Sequence, residues 1–236
     1  MSKRSYAKLA GAGLATTAAM AAAGYAGLVV FNRLRYGTAK PFAGTGYESL
    51  LDQFLPAPEV AEHHQIDIAA PADVVMAAAS EFELLKSPIV RAILTARELA
   101  LGGERDTRTH PTQLLEQMKS IGWVVLAERP GREIVLGSVT QPWLAAPVFR
   151  SIPAAEFKDF AEPDYVKIAW TLRADPVDAA HSTFHTETRV STTSAGARMR
   201  FRNYWSFVAP GVEVIRMAML KPLRRAAEAR VSKTAA

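Results

Sequence analysis

Residues 122–139 read GWVVLAERPGREIVLGSV and hold two apolar runs separated by Arg129, Pro130 and Gly131. Each run has the length of a strand and is rich in β-branched residues, and a Pro-Gly pair between two such runs is typical of a tight turn. The stretch therefore predicts a β-hairpin with strands at 122–128 and 132–139.

A period of two continues downstream of this hairpin. In 165–173, Val166, Ile168, Trp170 and Leu172 would share one face of a strand, because successive side chains in a strand point to opposite faces. The same kind of pattern predicts further strands at 64–69, 155–160, 182–192 and 197–208.

Residues 198–205, RMRFRNYW, lie in the last of these predicted strands and carry arginine at alternate positions. One face of the strand would hold Arg198, Arg200 and Arg202, and the other Met199, Phe201, Asn203 and Trp205. We expect the second face to point inward and the arginines to lie on the outer face of a sheet.

Helices are predicted on both sides of the strand region. Pro71 opens a helix at 72–80, Ser87 and Pro88 open another that ends at Gly102, and a shorter one covers 113–120. Residues 212–231 are amphipathic, with Pro222 expected to kink the helix. Its apolar stripe comprises Val212, Ile215, Met219, Leu223 and Ala226.

This order of elements predicts an α+β domain at 63–231, with a curved antiparallel sheet of about seven strands wrapped on a long C-terminal helix. Upstream we predict a basic N-terminus (1–8), an apolar segment (9–31) and a linker with one short helical turn (32–62). Residues 232–236 form a tail.

Residues 9–31 are uncharged and long enough to cross a bilayer as a helix. We expect a single-pass anchor in a bacterial inner or plasma membrane, with the side of the globular domain left open because the flanking basic residues are balanced. The alternative is a signal peptide, cleaved near Ala19-Met20-Ala21 before export.

The positive charge is concentrated at the two ends of the chain. The net charge is +6 for residues 1–40, −9 for 41–188 and +8 for 189–236, so the domain as a whole is close to neutral. This balance, with no RNA-binding motif, argues against nucleic acid as a partner. Cysteine is absent, which excludes disulfides and thiolate metal sites.

Four stretches resemble a bacterial group of the START-like, or helix-grip (SRPBCC), superfamily, which includes polyketide cyclases/dehydrases and lipid-transport domains and in which this group has no assigned activity. They are IGWVVLAERPGREIVLGSVTQPW (121–143), EPDYVKIAWTLRADP (162–176), HTETRV (185–190) and RFRNYW (200–205). The resemblance implies a ligand cavity between the sheet and the C-terminal helix, and it supplies no catalytic residues.

With that fold, one set of side chains should line the cavity, with apolar walls and a few polar groups typical of a small-molecule site. The predicted ligand-binding residues are Ile168, Trp170, Phe184, Thr186, Thr188, Met199, Phe201, Asn203, Trp205 and Met219. A filled core would show the same pattern of aromatic residues.

The opposite, basic face would either be simply solvated or rest on anionic lipid headgroups. The residues of this possible membrane contact are Lys167, Arg189, Arg198, Arg200 and Arg202.

The predicted function is membrane-anchored binding or transfer of a hydrophobic small molecule or lipid. The first alternative is a cyclase- or dehydratase-like enzyme on the same fold, in which Asn203 or Tyr204 polarises a carbonyl group. The second is a surface interaction module with a filled core. No metal, nucleotide or other cofactor is expected, because the histidine spacings do not suit a metal and no nucleotide motif is present.

Overall fold

The computed structural model describes residues 20, 23–38, 40–42, 48–103 and 110–234. Residues 23–35 form helix α1. The elements that follow are a 3₁₀ turn (Leu50–Gln53), β1 (Val60–Ile68), α2 (Ala72–Ser80), a second 3₁₀ turn (Leu84–Lys86), α3 (Pro88–Ala100), α4 (Leu114–Ser120), β2 (Val124–Arg129), β3 (Glu133–Thr140), α5 (Ala154–Phe157), β4 (Val166–Pro176), β5 (Ser182–Thr192) and α6 (Ala195–Thr234).

The three helices predicted between the first strand and the hairpin are confirmed. Helix α3 begins where the capping signal placed it, since the Ser87 hydroxyl accepts a hydrogen bond from the amide of Val90. Gly122 ends α4 with a positive φ of 104°, and a Cβ at this position would lie 2.1 Å from the carbonyl oxygen of Phe149. Only glycine fits this turn without strain.

The sheet is antiparallel, with the strand order β1-β5-β4-β3-β2. The predicted hairpin is confirmed as β2 and β3, with Gly131 at a φ of 68° in the connecting turn. Strand β5 pairs with both β1 and β4, so the first strand of the domain lies at one edge, next to the last strand.

The described part of the chain contains five strands rather than the predicted seven. Residues 154–157 form the short helix α5 where a strand was predicted. The larger error concerns 197–208, which lies entirely within α6, a helix of 40 residues that includes both Pro210 and Pro222. The α+β architecture with a long C-terminal helix nevertheless agrees in outline with the helix-grip arrangement.

The stretch 198–205 is helical because its apolar residues also recur with the period of a helix. Ala197, Phe201, Trp205 and Val208 are spaced by three or four residues and are all buried. Upstream, the Ser194 hydroxyl accepts a hydrogen bond from the amide of Ala197, which caps the new helix.

The inner face of the sheet, which carries Trp170, Leu172 and Phe184, packs against α2 and the C-terminal half of α6. The N-terminal half of α6 buries Phe201 and Trp205 against the neighbouring ends of β1, β4 and β5. The opposite, outer face is covered by residues 48–55, which belong to the predicted linker.

Most of the predicted membrane-spanning segment, residues 9–19, 21 and 22, lies outside the described residues, as does the N-terminus 1–8. In the part of the chain that the structure describes, no helix is long and apolar enough to cross a bilayer.

Candidate functional site

A groove of about 470 Å³ opens beside the N-terminal half of α6. Three elements form its walls: the end of α3, the loop after β3, and α6. The lining residues are Ala100, Leu101, Trp143, Arg200, Asn203, Tyr204 and Phe207. Four of these seven side chains are predominantly apolar and the other three are polar, which is the mixture found in small-molecule sites.

Arg97 on α3 braces the walls of this groove. Its Nε donates a hydrogen bond of 3.1 Å to the hydroxyl of Tyr204, and a terminal nitrogen donates to the carbonyl of Pro142 at 2.8 Å. The guanidinium also lies 5.7 Å from the centroid of the Tyr204 ring. A single side chain thus connects α3, the loop after β3 and α6, and holds Tyr204 in one orientation.

Helix α1 lies against the same part of α6. Arg33 donates a hydrogen bond of 2.8 Å to the side-chain oxygen of Asn203, and the Tyr25 hydroxyl donates to the carbonyl of Phe207. The rings of Tyr25 and Phe207 meet edge to face at 5.8 Å. The side-chain oxygen of Asn203 is thus engaged by Arg33, and its amide N–H groups remain able to donate hydrogen bonds.

A polar cluster lies within the inner face of the sheet, near the middle of α6. The indole N–H of Trp170 donates to the hydroxyl of Thr186 at 2.7 Å, and Arg216 donates to the hydroxyl of Thr188 at 2.8 Å. The Arg216 guanidinium stacks 4.3 Å from the centroid of the Trp170 ring. We call Trp170, Thr186, Thr188 and Arg216 the inner cluster.

The outer face holds a separate buried network in which charges are paired. Arg189 is fully buried and pairs with Glu187 at 2.7 Å and with Asp52 at 2.6 Å. Glu133 is 1% exposed and accepts hydrogen bonds from the hydroxyl of Ser49 at 2.7 Å and from the hydroxyl of Thr171 at 3.2 Å. These groups attach residues 48–55 to the sheet.

A chain of three titratable residues, Asp175, His185 and His63, continues this network. Nε2 of His185 lies 3.3 Å from the Asp175 carboxylate, and its Nδ1 lies 3.2 Å from Nε2 of His63. The ring of Phe42 stacks on His63 at 3.7 Å. Burial, followed by the positive charges of His185, His64 and Arg173, lowers the pKa of His63 to about 4.

The predicted ligand-binding residues do not converge on one cavity. Asn203 lines the groove, and Thr186 and Thr188 belong to the inner cluster together with Trp170. The remainder lie elsewhere: Phe184, Phe201, Trp205 and Met219 are buried in the core, Ile168 is partly buried against it, and Met199 is 67% exposed.

The predicted basic face is also divided. Arg189 is buried beneath residues 48–55, and Lys167 on the same sheet face donates to the carbonyl of Lys158. Arg198, Arg200 and Arg202 instead lie on helix α6, where residues two apart point in different directions. Arg198 pairs with Glu59, Arg200 with Asp164, and Arg202 donates to the carbonyl of Arg33.

The sequence interpretation missed Arg97, Leu101, Trp143 and Arg216. Arg97 and Leu101 lie at the end of α3 and Trp143 lies in the loop after β3, and no local pattern in the sequence relates these positions. Arg216 could have been noticed, because it is a cation placed between Val212 and Met219 in the predicted apolar stripe of the last helix.

No family model matches the chain. No curated protein matches it either. Among solved structures, a similarity is found to the crystal structure of Zhui aromatase/cyclase from Streptomyces sp. R1128, with 16% sequence identity and a TM-score of 0.29. The similarity covers 73% of this chain and 95% of that chain. At this TM-score the likeness supports no inference about ligand or activity.

Proposed function

We propose that the protein binds a hydrophobic small molecule or lipid in the groove beside α6 and exchanges it with the surroundings. The observation that supports this proposal is the groove itself, about 470 Å³ in volume and lined by Leu101, Trp143 and Phe207 together with polar groups at its walls. Apolar walls supply affinity through burial of the ligand, and the polar groups orient it.

The polar groups of the groove suit recognition better than acid–base chemistry. Among the described residues that line it there is no aspartate, glutamate or histidine, the usual general acids and bases. Asn203 and Tyr204 can donate or accept hydrogen bonds, and Arg200 adds a positive charge that its pairing with Asp164 at 3.5 Å only partly offsets. Binding is therefore the activity that this geometry favours over cyclisation or dehydration.

The test is titration of the full-length protein with a fluorescent apolar probe. Leu101→Asp and Phe207→Asp place a charge on two different walls of the groove, and each should weaken binding of the probe at least about fivefold, because a carboxylate in an apolar site must be desolvated. Val177→Asp is the matched control, since Val177 is 68% exposed and lies outside the groove.

Equal affinity of all three variants and the wild type would contradict the proposal. Loss of affinity in Phe207→Asp alone would point instead to the contact of Phe207 with α1, because Tyr25 packs on this ring. For that reason the Leu101→Asp result decides the outcome.

A further inference from the structure

Arg216 occupies a position on α6 that its neighbours would assign to an apolar residue. Val212 lies four residues before it and Met219 three residues after it, and both pack against the sheet side of the helix. Residues at these spacings share one helix face, so the charge of Arg216 is directed at the sheet. Arg216 as a whole is partly buried, but its guanidinium lies in dense surroundings, and burial lowers its pKa to about 10.

Arg216 has no described carboxylate within ion-pairing distance. Its described polar contact is the 2.8 Å hydrogen bond to Thr188, supplemented by stacking on Trp170. Arg189 on the outer face shows the contrast, because its guanidinium meets both Glu187 and Asp52. A buried cation without an anion is costly, and Arg216 remains protonated at neutral pH.

The groups around Arg216 are hydrogen-bond donors. Thr188 accepts from Arg216 and Thr186 accepts from Trp170, so the O–H group of each threonine remains able to donate. On the adjacent strand, Nε2 of His64 is buried and has no hydrogen-bond partner among the described residues, and it can donate in the tautomer that carries a proton on this nitrogen. His64 is paired in register with Thr186, which places it beside the inner cluster on the same face. Several donors with no matching acceptor are complementary to an anion.

The inner cluster can be reached from the edge of the sheet. Strand β1 is an edge strand, and its inner-face residues Glu62 and His64 are partly exposed. Burial raises the pKa of Glu62 near this opening, and burial, followed by the positive charge of Arg216, lowers the pKa of His64. An approaching anion would therefore meet Arg216 between β1 and α6.

We propose that Arg216, together with the hydroxyl groups of Thr186 and Thr188, binds the carboxylate of an apolar organic acid beneath α6. The planar guanidinium can hold both carboxylate oxygens, and the rings and aliphatic groups of Trp170, Ile168 and Val212 supply apolar surface for the rest of the acid. This site is separate from the groove beside α6, and the inference does not depend on that groove being occupied.

The experiment is calorimetric titration of the full-length protein with decanoate, decanol and inorganic phosphate. We expect decanoate to bind more tightly than decanol, and Arg216→Gln to weaken decanoate binding at least about tenfold while leaving decanol unaffected, since hydrogen bonds to a charged group are the stronger ones. Arg224→Gln is the matched control, because Arg224 lies on the same helix but is exposed and paired with Glu228.

Three results would overturn the inference: equal affinity for decanoate and decanol, decanoate binding that Arg216→Gln leaves unchanged, or Arg216-dependent binding of phosphate as tight as that of decanoate. If Arg216→Gln does not fold, the Nε–H resonance of Arg216 in the wild type replaces it as the readout. That resonance must shift on saturation with decanoate and not with decanol. The groove variant Leu101→Asp separates the two proposals, because it should leave the charge-dependent part of decanoate binding intact.

Discussion

Acidification should destabilise the protein through His63. Nε2 of His185 lies 3.3 Å from the Asp175 carboxylate, and Nδ1 of His185 lies within hydrogen-bonding distance, 3.2 Å, of Nε2 of His63. The neutral form of His63 is compatible with these contacts, whereas protonation would place a positive charge beneath the ring of Phe42 and close to other positive charges. The pKa of His63 is therefore lowered from 6.5 to about 4 in the folded protein.

The sign of the effect follows from these two pKa values. Between pH 6.5 and 4 the unfolded chain binds the proton more readily than the folded protein does, so stability is fully present above pH 6.5 and is lost as the pH falls. The whole shift would correspond to about 3.4 kcal/mol at about 1.4 kcal/mol per pKa unit. Because the imidazole is only half-buried, solvent screening reduces this value, and we expect about 1.5 kcal/mol between pH 7.5 and 4.5.

The assay is urea denaturation of the wild type and of His63→Gln at both pH values. The glutamine amide can still donate a hydrogen bond to His185 but does not titrate, so the variant should lose about 1.5 kcal/mol less free energy of unfolding on acidification. His181→Gln is the control, since His181 is an exposed histidine paired with Asp178. Parallel losses in the wild type and His63→Gln, within about 0.3 kcal/mol, would refute this reasoning.

Three further changes test the packing, each measured by urea denaturation at pH 7. Arg189→Met should lower the free energy of unfolding by about 3–5 kcal/mol, because it leaves Glu187 buried without its cation. Adding Glu187→Leu should recover much of this loss. An Arg189→Met variant as stable as the wild type would contradict the buried ion pair. Gly122→Ala should lower the free energy of unfolding by at least about 2 kcal/mol, because alanine is strained at the positive φ of this position and its Cβ would clash with Phe149. A smaller effect would mean that this turn can relax. Ser194→Ala should cost about 1 kcal/mol, whereas Ser194→Asp should keep the cap of α6; equal losses in both would argue against capping.

The elements with strong local signals were predictable from the sequence. Helix α3 has a serine cap followed by proline, and the β2–β3 hairpin has a Pro-Gly turn between two apolar runs, so local chemistry alone places both. The stretch 198–205 is different because two periods coincide in it. Arginines at alternate positions suggest a strand, while Phe201 and Trp205 fit a helix equally well over so short a window.

The candidate site was less predictable than the fold, because tertiary structure alone brings its parts together. Leu101, Trp143 and Phe207 come from three elements, and no spacing in the sequence relates them. Asn203 was expected on the inward face of a strand, whereas it lies on helix α6 beside the groove, so its role in ligand binding stays a prediction.

The error at 197–208 also concealed the His63–His185 pair. A strand at 197–208 would follow β5 in a meander and would occupy the edge of β5 that faces away from β4. Because this segment is instead the start of α6, that edge is free to pair with β1, which aligns Gln65 with His185 and His63 with Glu187. The histidine pair, the covering of the outer face by Phe42 and the proximity of His64 to Arg216 all depend on this pairing. One misassigned segment therefore hid both the acid-sensitive network and the neighbourhood of the proposed carboxylate site.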